Sequence, residues 1–185
     1  LPSLGVDPDT VGEMDKDVKR LSMIASRFGK IGSRTSMEPV DLNEVVRRAV
    51  NYMSTRISSG VALTLHTSTS PLQVGLSSSL FEWVMENLIK NAVDAIDGDG
   101  SITITLGHDR GNAVIDVADT GKGIPRNRFK TVFNPGYTTK KRGWGLGLAL
   151  ARRIVEQYHH GRIVILSSDP RHGTVFRITL PLKDR

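Results

Sequence analysis

Cysteine is absent from all 185 residues, which excludes disulfides and thiolate metal sites. That absence agrees with an intracellular setting, and a cytoplasmic location is the expectation. No run of about eighteen apolar residues exists to span a bilayer, and the first residues lack the basic-then-apolar order of a secretory signal. The portion reads as soluble. His66, His108, His159, His160 and His172 show no metal-ligand spacing. Charge of one sign is not in large excess: Lys plus Arg is 25 and Asp plus Glu is 19, a net +6. The densest basic cluster, Lys140, Lys141 and Arg142, has no interleaved aromatic residues to stack bases, which argues against nucleic acid. What is present is 38% hydrophobic content, enough for the core of one ordinary domain with an appendage.

From Glu13 to Ile31, Met14, Val18, Leu21, Ile24, Ala25 and Phe28 follow helical spacing, which predicts one amphipathic helix of a bundle. Gly29, Gly32 and residues 33–38 read as a linker. Asp41 with Glu44 resembles a helix-capping pair, and Val45, Val46, Ala49, Val50 and Met53 supply a buried helix face. Val61, Leu63 and Leu65 alternate as a strand, and Pro71 precedes a shorter extended piece around Leu72 to Val74, continuing the sheet. Ser77 is placed to cap a long helix lined by Leu80, Phe81, Val84, Leu88, Val93 and Ile96 and ended by Gly98-Asp99-Gly100. Ile102 to Leu106 and Ala113 to Ala118 read as a hairpin. A short helical stretch with Phe129 and Phe133 and a polar loop from Asn134 to Trp144 follow. An amphipathic run from Leu146 to Tyr158, then strands at Ile163 to Leu166 and Thr174 to Leu180, complete the chain. About three helices and five strands without regular alternation predict an α+β fold, with helices layered on one face of a mixed sheet.

Four short runs carry the chemistry, in order along residues 87–147: Asn87-x-x-x-Asn91, Asp119-x-Gly121-x-Gly123, Thr138-Thr139-Lys140 and Gly143-x-Gly145-x-Gly147. Each alone is weak; together they describe a pocket for a magnesium nucleotide. Asn87 and Asn91 fall on one helical face, so both amides converge, and amide oxygens suit a hard cation that binds few protein groups. The plainer alternative is a pair of helix-packing asparagines. Asp119 ends a strand beside a glycine turn that lets another molecule approach the backbone, and its carboxylate can accept the amino hydrogens of adenine; an ordinary Asp-Gly turn is the alternative. Gly143 to Leu148 leads into a helix whose N-terminal amides favour phosphate. It fits neither the dinucleotide fingerprint nor a Walker loop, since no Gly-Lys-Ser/Thr follows. Lys140, Lys141 and Arg142 either close over phosphates or form a solvated loop surface. Glu86 with Lys90, and Lys90 with Asp94, have the spacing of ordinary helix-surface pairs.

These residues resemble the catalytic and ATP-binding domain of sensor histidine kinases, within the superfamily that includes gyrase, the ninety-kilodalton chaperones and MutL. The likeness runs from about Asp41 to Leu182. Glu86 to Ala92 resembles the N box, Asp119 to Gly123 the first glycine box, Phe129 to Phe133 the phenylalanine box and Gly143 to Gly147 the second glycine box. Gly173-Thr174-Val175-Phe176 resembles the final Gly-Thr strand. The resemblance implies a two-layer α/β sandwich of the Bergerat type, with three helices on a mixed sheet of about five strands, preceded by one bundle helix. It implies that Asn91 ligates magnesium, that Asp119 holds the adenine amino group, and that the segment from Phe133 to Trp144 is a mobile ATP lid. The nucleotide-binding set becomes Asn87, Asn91, Asp119, Gly121, Gly123, Ile124, Thr138, Thr139, Lys140, Gly143, Gly145, Leu146, Gly147, Leu148 and Thr174, with Asn87 and Lys140 acting in catalysis. Residues 1–37 would be the second helix of a dimerisation hairpin and its linker, and 38–185 the catalytic domain. No His-Glu-x-Lys/Arg-x-Pro phosphoacceptor sequence occurs, so the chain reads as a fragment of a longer sensor. Asp94 departs from the family pattern, where many members have a basic residue near the phosphates.

ATP-hydrolysing relatives carry a Glu four residues before the metal-binding Asn; here that position is Asn87. Glu86 lies about 100° round the helix and should not reach the same point. The expectation is transfer of the ATP γ-phosphoryl group to a histidine on the dimerisation helix of the same kinase, with a response regulator downstream. The full-length protein is expected to be a homodimer, the fragment a monomer, and the sensor to be membrane-anchored or wholly cytoplasmic. Two alternatives stand beside it: a nucleotide-binding regulatory scaffold without kinase activity, and a gyrase- or MutL-type ATPase.

Overall fold

The computed structural model describes residues 36–140 and 144–183; the expected helix from Glu13 to Ile31, and Lys141, Arg142 and Gly143, lie outside them. In chain order the elements are β1 (Glu38–Asp41), α1 (Leu42–Ser54), β2 (Val61–His66), β3 (Gln73–Leu76), α2 (Ser78–Ala95), β4 (Gly100–Asp109) and β5 (Asn112–Asp119). Two single 3-10 turns, Arg126–Arg128 and Thr131–Phe133, precede α3 (Gly147–Arg153), β6 (Arg162–Asp169) and β7 (Gly173–Pro181).

Asp41 begins α1 as expected: its Oδ1 accepts from the Asn43 N–H at 3.0 Å and also from the Leu72 N–H at 3.1 Å. One carboxylate thus starts a helix and pins the chain entering β3 to it. Glu44 pairs with Arg47 along the helix rather than completing a capping box. Asn43, buried beside the cap, is satisfied by Ser68 N–H and Ser70 C=O.

The main sheet runs β2-β4-β5-β7-β6, with β2 parallel to β4 and every other pair antiparallel. This is the mixed five-stranded sheet the sequence led us to expect. Period-2 alternation sets its inner face: Ile104 pairs with Val117 and Val117 with Phe176, while Leu106 pairs with Ile115 and Ile115 with Ile178. Those residues are buried, facing Leu80, Phe81, Val84, Leu88 and Ile89 of α2 and Leu150, Ala151 and Ile154 of the last helix. The result is a two-layer α/β sandwich.

Three expectations are corrected. The extended piece near Leu72 does not join the main sheet; β3 pairs antiparallel with β1 in a separate two-stranded sheet. Residues 38–41 show no apolar alternation, so nothing local in the sequence marks the partner strand. The helix α2 stops at Ala95, before Gly98, and its buried stripe uses Met85, Ile89 and Ala92, leaving Val93 and Ile96 half-buried. The last amphipathic run is α-helical only to Arg153; Ile154–Tyr158 continues as a π-helix, closed by His159 N–H donating to Ile154 C=O at 3.1 Å. That wider turn carries His159 into the core.

Candidate nucleotide-binding site

The strand register delivers Asp119 to the inner face at the mouth of the sandwich. Ile102, Asp119 and Thr174 form one cross-strand row, beyond the last fully apolar one. Asp119 and Thr174 are both buried there. The Asp119 Oδ1 accepts the Gly121 N–H at 2.8 Å, and the Thr174 N–H also bonds the carboxylate. Burial pushes the Asp119 carboxyl above its ordinary range; the two N–H bonds pull the other way and do not cancel it. A buried carboxylate held by two backbone donors keeps lone pairs for an outside donor, as recognition of an exocyclic amine requires.

The turn after Asp119 is docked on the end of α2, where Lys122 N–H donates to Ala95 C=O at 3.0 Å. A Cβ on Gly121 would meet the Ala95 backbone at 2.7 Å, and one on Gly123 would meet Asp169 at 2.6 Å. The glycines of this run therefore make room for the chain's own backbone. Ser168 joins the pieces: its Oγ accepts the Ile124 N–H at 2.7 Å and lies 2.8 Å from Thr174 Oγ1. Sequence reasoning missed Ser168. Its position next to Thr174 arises from pairing across the β6–β7 hairpin, after a bulge between Ile165 and Ser167.

Along α2, Asn87, Asn91 and Asp94 form an i, i+4, i+7 row beside the buried stripe. The two amides do not meet the same partner. Asn87 Nδ2 donates to the Trp83 carbonyl at 3.1 Å, and its Oδ1 faces Gly147, where a Cβ would sit 3.0 Å away. The first Asn is thereby brought against the second glycine run. Asn91 Oδ1 instead accepts from Lys140 Nζ at 3.1 Å, and the same ammonium lies 2.5 Å from Asp94 Oδ2. Asp94, which the sequence paired with Lys90, is thus paired with the loop.

Residues 136–145 close on themselves at their base. The Gly136 N–H donates to Gly145 C=O at 3.1 Å, and Gly145 has φ +63 with the Gly136 carbonyl carbon 2.4 Å from where a Cβ would be. Only glycine fits that approach. Thr138 Oγ1 accepts the Lys140 N–H at 3.1 Å, Thr138 and Thr139 are exposed, and Trp144 is half-exposed. Leu146 caps α3 and is half-buried, as is Leu148. Of the residues expected at a nucleotide site, Asp119, Gly121, Ile124 and Thr174 gather at one end, Asn87 and Gly147 meet, and Asn91 meets Lys140.

The family described as histidine kinase-, DNA gyrase B-, and HSP90-like ATPase matches residues 77–184, the span from the cap of α2 to the end of β7 and beyond. The chain belongs to that family. Within this ATPase family its likeness is to sensor kinases. It is 31% identical over 172 residues to the sensor histidine kinase ZraS of Escherichia coli (strain K12), covering 91% of this chain and 37% of ZraS. It is 33% identical over 174 residues to sporulation kinase D of Bacillus subtilis (strain 168), covering 91% and 34%. The chain therefore spans well under half the length of these relatives. Among solved structures, the catalytic domain of histidine kinase ThkA superposes with TM-score 0.71 at 28% identity, covering 79% of this chain and 95% of that one. A mycobacterial sensor histidine kinase, MprB, gives TM-score 0.70 at 28% identity, covering 80% and 99%. The fold is that of the histidine kinase catalytic domain.

Proposed function

We propose that residues 38–185 are the catalytic, ATP-binding domain of a two-component sensor histidine kinase, and residues 1–37 the end of its dimerisation hairpin. The γ-phosphoryl group of ATP passes to a histidine on a dimerisation helix outside these residues, in a homodimeric kinase, and onward to a response regulator. The domain works in the cytoplasm.

Asp119 receives the adenine amino group, with the Gly121 and Thr174 N–H groups holding its carboxylate in place. Ser168 fixes Ile124 and Thr174 around it. Gly145, Leu146, Gly147 and Leu148, at the start of α3, lie on the phosphate side, where helix N-terminal amides favour anions. Thr138, Thr139 and Lys140 supply the loop that covers the phosphates. Asn91 Oδ1 is the magnesium ligand. The donor chemistry fits: the Asn91 amide oxygen is a hard donor that faces a cation, the Lys140 ammonium, at 3.1 Å. When bound, magnesium neutralises charge on the phosphates during transfer.

The observation that carries the reading is Asn87. It stands where a water-activating carboxylate would be, with its amide nitrogen engaged by the Trp83 carbonyl, so the site offers no base at that point. An enzyme that protects ATP from water until a neutral imidazole arrives needs that arrangement. In a calorimetric titration, the 185-residue chain should bind ATP only with magnesium present. Asn91→Ala should weaken that binding by about tenfold or more, ~1.4 kcal/mol. Equal affinity of the Asn91→Ala protein would remove the metal assignment.

A further inference from the structure

We infer that Asp94 is a positioning residue for Lys140, parking the loop lysine at the Asn91 end of α2 so that it is on hand for the terminal phosphate of ATP. The inference rests on the nucleotide reading above and adds to it a residue that sets the preference for ATP over ADP.

Lys140 Nζ is bound by two oxygens from one row of α2, Asn91 Oδ1 at 3.1 Å and Asp94 Oδ2 at 2.5 Å. Asp94 supplies the charge and Asn91 completes the seat. No other segment crosses from the 136–145 loop to α2 with a charged contact among the described ion pairs. Both side chains of the pair remain part-exposed, with 43% and 36% accessibility for Lys140 and Asp94. An ion pair of that exposure contributes little to stability, so it holds the lysine without trapping it.

The same Asn91 oxygen is the proposed magnesium ligand. An ammonium and a divalent ion on one amide oxygen would be a few ångströms apart and strongly repulsive. Metal and lysine therefore exclude each other at Asn91. When the metal takes the oxygen, Lys140 leaves Asn91 but stays tethered through Asp94, within reach of the phosphates the metal carries. A lysine without that tether would be free in the loop and would lose rotamer entropy on every encounter. ADP lacks the terminal phosphate that rewards the tethered lysine, so the tether acts on ATP more than on ADP.

The experiment is a double-mutant cycle on magnesium-dependent ATP and ADP affinity, using Asp94→Asn, Lys140→Met and the two combined. Each single variant should reduce the ATP-to-ADP affinity ratio by roughly the same factor, about threefold to fivefold, and the double should lose no more than either. Asp94→Glu should restore most of the ratio. Lys140→Met should also lower the magnesium concentration needed for half-maximal ADP binding, because its competitor at Asn91 is gone. The inference is overturned if Asp94→Asn leaves the ratio intact, or if the two losses multiply in the double variant, which would show Asp94 acting on the metal directly. A parent chain that binds neither nucleotide overturns the nucleotide reading itself, a result distinguishable from both.

Discussion

Asp119 is the residue whose surroundings most nearly contradict its chemistry. Folding puts a carboxylate in a buried cross-strand row, and burial raises its pKa. A raised carboxyl pKa means that ionisation opposes folding. The contribution is absent at pH below the unfolded value and grows unfavourable as pH rises through the folded one. Asp119→Asn should therefore lose less stability than the parent between acid and neutral pH, read from urea unfolding at both, while ATP affinity falls by about tenfold or more. A variant with unchanged ATP affinity would contradict the adenine role. The places of Asp119 at a strand end and Asn91 on α2 were legible from sequence, because each sits at a fixed offset within a short run on an easily read element. Ser168 was not: a lone serine acquires meaning only when β6 pairs with β7 and brings it to Thr174.

At the scale of elements, α2 is held from both ends. Its C-terminal turn receives the Asp119 turn through Ala95, and its N-terminus receives His159 from beyond the π-helix. Ser77 occupies the cap position but its side chain makes no capping hydrogen bond; instead its N–H donates to His159 Nε2 at 3.1 Å. The ring is buried edge-on to Phe81, with Nδ1 lacking a partner. Burial, reinforced by His160, lowers the His159 pKa to about 4. With the folded value depressed from 6.5, stability is full above that unfolded value and drains as pH falls towards about 4. The whole drop is on the order of 3 kcal/mol at 1.36 kcal/mol per unit. His159→Phe should flatten the stability profile across that window in chemical denaturation at several pH values; a profile with the parent's slope would contradict the assignment. No local pattern marks this histidine, because a π-turn and a contact across 82 positions placed it. The loop base is a second element-level device. Gly145→Ala should displace the contact with Gly136 and weaken nucleotide binding more than global stability, compared by titration and thermal melting.

For the molecule as a whole, the alternating strands and the long helices were readable because each must bury one face, and that demand repeats every two residues or every turn. The pairing of β1 with β3 and the closing of the loop on Asn91 and Asp94 were hidden, because both depend on segments distant in the chain and poor in apolar pattern. The functional residues divide likewise. Those proposed to meet the nucleotide stand in short motifs, whereas Ser168, which holds Ile124 and Thr174, comes from elsewhere. On the proposed reading, the molecule holds ATP away from water and presents its terminal phosphate. The most direct measurement supplies γ-labelled ATP and magnesium to a kinase in which this chain follows its phosphoacceptor helix, and follows both the label on protein and free phosphate. The account predicts acid-labile, base-stable label on a histidine, with little phosphate released in its absence. Steady hydrolysis without labelled histidine, abolished by Asn87→Ala, would contradict it.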